Sequence, residues 1–103
     1  MHQALYEKLK EVAGARGKIT YSELADTVHL NRRRLGQPLE EICCHEHEQN
    51  RPMLSVVVVH KQDGIPAKPF FDLARTLGLY KGNGDLEFFT DELLKVHNYW
   101  SSH

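Results

Sequence analysis

Apolar residues recur along this chain at helical spacing in most places and as one continuous run in the middle. The change of period divides it into elements. Leu5, Leu9, Val12 and Ala13 fall at the i, i+4, i+7, i+8 positions of one helical face, with Glu7, Lys8, Lys10 and Glu11 on the other. A first helix is predicted there, ending near Gly14 to Gly17. After a short extended link, Thr20 stands three residues ahead of Glu23 in the capping-box pattern, before apolar Leu24, Ala25 and Val28. This opens a second, short helix. His29, Leu30 and Asn31 make a turn, and Asn31 is placed to cap a third helix that carries Leu35, Leu39 and Ile42 on one face. Pro38 lacks an amide donor and crowds the preceding turn. The third helix is therefore either kinked at that point or begins as an irregular turn that becomes regular only at Pro38.

Met53 to His60, with four successive valines, reads as a strand buried on both faces, because β-branched side chains suit a pleated surface. Lys61-Gln62-Asp63-Gly64 reads as a turn. Pro69 fits the first position of a fourth helix presenting Phe70, Leu73, Ala74 and Leu77, stopped by Gly78. Beyond the loop Gly82-Asn83-Gly84-Asp85, Thr90 is expected to cap a last helix. Asp91 and Glu92 would sit at its positive end, with Leu93, Val96, His97 and Trp100 along one face. Phe70, Phe71, Phe88 and Phe89 are core candidates.

At 103 residues the chain has the size of one domain, and 41% hydrophobic with 26% charged residues is ordinary globular usage. The expectation is a single domain over 1–103, with a core at 1–65 and a helical extension at 66–103. No apolar run approaches the roughly 18 residues that span a bilayer, and the amphipathic start has no signal-peptide character. Cys43 and Cys44 are adjacent and poorly placed to bridge each other, so reduced thiols and a cytoplasmic setting are expected. The formal net charge of −1 excludes a polycationic binder. Its distribution is uneven: residues 1–39 hold seven basic and four acidic side chains, so the remainder is acidic.

The order helix, link, short helix, turn, helix, strand and basic turn is that of an α+β winged helix-turn-helix, here with two additional C-terminal helices. In that arrangement the third helix enters a major groove and the wing lies along the backbone. Arg32, Arg33 and Arg34 stand at the start of the third helix, where backbone amides and guanidinium forks together suit phosphate or guanine edges. Gln37 lies one turn further on. Tyr21, Lys61 and Lys68 are the backbone-contact candidates. The plain alternative is a solvated helix start, since three consecutive positions cannot all face one ligand.

Ile19-Thr20-Tyr21-Ser22-Glu23-Leu24-Ala25, followed by Asn31-Arg32-Arg33-Arg34-Leu35-Gly36, resembles the DNA-binding half of the O6-alkylguanine-DNA alkyltransferases and alkyltransferase-like proteins over about residues 3–65. By that resemblance Tyr21 matches the tyrosine that presses on the target phosphate. Arg33 matches the arginine that fills the space left by a flipped base. The family's Pro-Cys-His-Arg-Val-Val segment falls near Pro52 to Val59, where this chain has Ser55 or Val56 at the acceptor position and no histidine or arginine behind it. A serine without an adjacent base is a poor nucleophile, so the resemblance carries fold and binding face and not alkyl transfer.

Cys43, Cys44 and His47 have the helical spacing of paired metal ligands, but a closed zinc site needs two more. Cys43 more simply continues the apolar face of Leu39 and Ile42. No phosphate-binding glycine loop, Gly-x-Ser-x-Gly or His-Glu-x-x-His motif is present. The sequence thus predicts a small non-enzymatic protein without cofactor or metal that binds double-stranded DNA. The competing expectation is a protein-interaction module on the same scaffold, motivated by the acidic second half. A homodimer through the last helix, with Tyr99 and Trp100, is plausible on either reading.

Overall fold

The computed structural model describes residues 1–103. Helix α1 spans Gln3–Gly14 and buries Leu5, Tyr6, Leu9 and Ala13; of the face the spacing predicts, Val12 is only partly buried, and Tyr6 is added to it. His2 caps it, with Nδ1 accepting the Leu5 N–H at 3.1 Å. Helix α2 spans Tyr21–Val28. Thr20 Oγ1 accepts the Glu23 N–H at 3.1 Å and gives its own proton to the Glu23 carboxylate at 3.0 Å. The chain leaves α2 through His29, in the left-handed region at φ 57.

Asn31 is a cap, as its position predicts, but the residues it caps, Arg32–Arg34, form a 3-10 turn whose Arg33 N–H bonds Asn31 Oδ1 at 2.9 Å. Helix α3 then runs Gly36–Glu48. Of the two expectations for Pro38, the irregular start is the one observed, with regular helix beginning slightly earlier, at Gly36. Pro38 falls in the first turn, where its missing N–H has no intrahelical acceptor to lose.

The valine run departs from expectation. Only Val58–Val59 is a strand (β2), and Leu54–Val57 coils into a buried 3-10 turn. A strand needs a partner, and the one available, β1 at Ile19–Thr20, is two residues long because Thr20 is committed to capping α2. The pairing is parallel, Ile19 with Val58 and Thr20 with Val59. No second strand returns antiparallel to β2. Instead the Lys61–Gly64 turn closes on itself, with Gly64 N–H to His60 O at 2.8 Å and His60 N–H to Ile65 O at 2.9 Å. The architecture is therefore mixed α+β, mostly helical, with one small parallel sheet.

Helix α4 spans Lys68–Thr76 with Pro69 in its first turn, and Gly78 at φ 78 ends the segment. Helix α5 spans Asp85–Ser101 and starts earlier than expected. Asp85 and Glu87 occupy its positive end, and Thr90 lies inside it, donating to Leu86 O at 2.8 Å. One core cluster takes Leu5, Leu9, Leu24, Ile42 and the valines from the first part of the chain, and Phe70, Phe71, Phe89 and Val96 from the last two helices. Helix α5 lies against α1 where Gly14 allows it: a Cβ there would stand 3.3 Å from the Trp100 carbonyl oxygen. No helix is long and apolar enough to cross a membrane.

Candidate nucleic-acid interface

The 3-10 turn determines how the three arginines are presented. Three residues per turn rotate successive side chains by about 120°, so Arg32, Arg33 and Arg34 leave the backbone in different directions. All three are exposed, and none has a carboxylate within ion-pair distance. They divide between two grooves. Arg32 lines one of about 250 Å³ together with Tyr21, Ser22, His60 and Lys61. Arg33 and Arg34 line another of about 540 Å³ with His2, Leu30, Gln37 and Glu41.

The first groove lies at the N-terminus of α2, where the helix dipole favours an anion, and Arg32 and Lys61 add positive charge from the two adjacent turns. Tyr21 forms part of its wall. The Tyr21 hydroxyl accepts the Ala67 N–H at 2.9 Å, and its ring packs against His60 with centroids 4.9 Å apart. Burial pushes the phenol pKa up, so the hydroxyl keeps its proton and can donate it. In the second groove Glu41 is matched by the amino group of Met1 at 3.0 Å, leaving the arginines as the unpaired charges. Lys68 lies in neither groove; it begins α4, exposed, 3.1 Å from Asp72.

No protein-family model, curated protein or solved structure matches this chain. Any functional reading therefore rests on the residues themselves.

The Cys-Cys-His-Glu-His stretch is where sequence reasoning missed most. Cys43 is buried as expected, its thiol 2.9 Å from the Ser55 hydroxyl, and burial pushes its pKa up to about 11. No group of three or more His, Cys, Asp or Glu side chains is arranged to hold a metal ion. Glu46 is completely buried. Its carboxylate accepts from Arg51 Nε at 3.1 Å and Nη2 at 2.8 Å, and from the Tyr6 hydroxyl at 2.9 Å. Arg51 in turn lies 5.7 Å over the Trp100 ring, which packs against the core of its own chain. Glu92, also buried, accepts the Met53 N–H at 2.9 Å. Two of the acidic residues counted against DNA binding are thus internal and do not face a duplex. A pocket of about 450 Å³ between α3 and α4 had no signature in the sequence.

Proposed function

We propose that this is a small non-enzymatic DNA-binding protein of winged helix-turn-helix type, related in its binding half to the alkyltransferase-like proteins. One observation carries the reading: three consecutive exposed arginines without carboxylate partners, divided between two grooves at the starts of α2 and α3. Folding makes no use of these guanidinium groups, and each fits a phosphate oxygen bidentately. Arg32 and Lys61, at the positive end of α2, hold one phosphate. Arg33, Arg34 and Gln37 meet the next phosphate or a base edge. Lys68 adds charge from the side.

The chemistry near the position of the family's acceptor cysteine supports binding without transfer. Ser55 and Val56 are both buried, and Cys43 beside Ser55 is a fully buried thiol held neutral at physiological pH. Fluorescence anisotropy of a labelled duplex tests the proposal. Affinity is expected to fall steeply between about 50 and 200 mM salt, as phosphate contacts require. Absence of binding at the lowest salt overturns it.

A further inference from the structure

The pocket between α3 and α4 has the opposite polarity to the grooves beside it. Tyr21, Leu39, Glu40, Ser55, Phe70 and Asp72 line it, and no lysine, arginine or histidine does. The Glu40 carboxylate is exposed and has no cation within ion-pair distance. Asp72 is matched only by Lys68, whose side chain is 85% exposed, and such a surface pair is weak and readily displaced. A phosphate that suits the arginine grooves would be repelled here, although Tyr21 forms a wall of both this pocket and the Arg32 groove.

We infer that this pocket receives an arginine side chain presented by a basic segment of a partner protein. Leu39 and Phe70 offer apolar wall to the aliphatic stem, and the carboxylates at Glu40 and Asp72 meet the charged head. Arginine fits better than lysine because its guanidinium is planar, weakly hydrated and favours aromatic neighbours, and Tyr21 and Phe70 are among the lining residues. At the inner end, the Ser55 hydroxyl is bonded only to a thiol, a weak partner, and retains capacity for a further hydrogen bond. At about 450 Å³ the pocket lies within the range of sites that enclose small ligands. Arginine capture here does not depend on DNA binding, since none of the arginines of the 3-10 turn lines the pocket.

The test is an amide-resolved NMR titration of the full chain with a blocked arginine amide, its neutral isostere the blocked citrulline amide, and cytidine. The arginine probe is expected to shift the amides of Leu39, Glu40, Leu73 and Thr76. It should bind roughly tenfold more tightly than the citrulline probe, the difference a charged hydrogen bond makes. The double variant Glu40→Gln with Asp72→Asn should lose a similar factor, with amide shifts elsewhere and the melting temperature unchanged. Equal binding of citrulline overturns the inference, as does retention of full affinity by the double variant. Shifts confined to the acidic start of α5, cytidine binding more tightly at the same amides, or no shift up to probe solubility also overturn it.

Discussion

Arg51 and the Arg32–Arg34 turn are the two extremes of how arginine is used in this molecule, and the contrast separates what folds the chain from what is left over for a ligand. Arg51 is held bidentately along one edge of its guanidinium by buried Glu46, lies over Trp100 and shares Glu46 with Tyr6 of α1. It ties α1, α3 and α5 together, and its pKa is raised further because that carboxylate holds the proton on. Arg32, Arg33 and Arg34 have no such partner. Their turn is held by the Asn31 cap and by Leu35, buried just beyond it, so the guanidinium groups are displayed and not consumed. An arginine with a buried carboxylate within reach is structural. Three in a row without one form a surface suited to anions.

The largest expected effect attacks the structural side of that contrast. Glu46→Ala leaves Arg51 and Tyr6 without their shared acceptor and should destabilise the protein by about 3 kcal/mol, the usual consequence of breaking a buried ion pair. Urea unfolding measures it, and duplex affinity of the folded variant should be unchanged. A variant as stable as the parent would remove the distinction between the two kinds of arginine.

Alkaline pH probes the same interior without mutation. Burial, reinforced by Glu46, raises the Tyr6 pKa from 10.0 to about 12, and burial raises that of Cys43 from 9.0 to about 11. The folded protein therefore keeps protons that the unfolded chain releases. Stability should be level below about pH 9 and fall as pH rises from there towards 12. A urea midpoint that stays constant over that range would contradict the burial of both groups. A smaller effect is expected at the binding side: Thr20→Ala removes the α2 cap and should cost about 1 kcal/mol in thermal unfolding. It should also loosen the Arg32 groove, seen as a weaker anion-induced shift of the Tyr21 amide.

Local signals made much of the fold legible. The α1 face, the Thr20 and Asn31 caps and Pro69 at the start of α4 are each written within a few residues. The valine run was misleading because its β propensity was real while its hydrogen-bonding partner was only two residues long, a fact set at positions 19–20. Burial drives Leu54–Val57 inward in either conformation, and pairing alone decides the backbone. The arginine turn was likewise visible as a cluster, but its division between two grooves comes from 3-10 geometry that the residue types do not announce. Glu46 could not be read as buried, since one of its partners, Tyr6, lies 40 residues away. The acidic pocket was equally hidden, because its walls come from α2, α3, α4 and the 3-10 turn at Ser55.

The most direct test replaces Arg32, Arg33 and Arg34 together by alanine and measures duplex affinity against salt beside the urea midpoint. If these arginines bind phosphate and do not fold the chain, the slope of log affinity on log salt falls by roughly 2 to 3, about one for each phosphate no longer neutralised, with the unfolding free energy within about 0.5 kcal/mol of the parent. An unchanged slope, or a protein that loses stability as Glu46→Ala does, would contradict that division of labour.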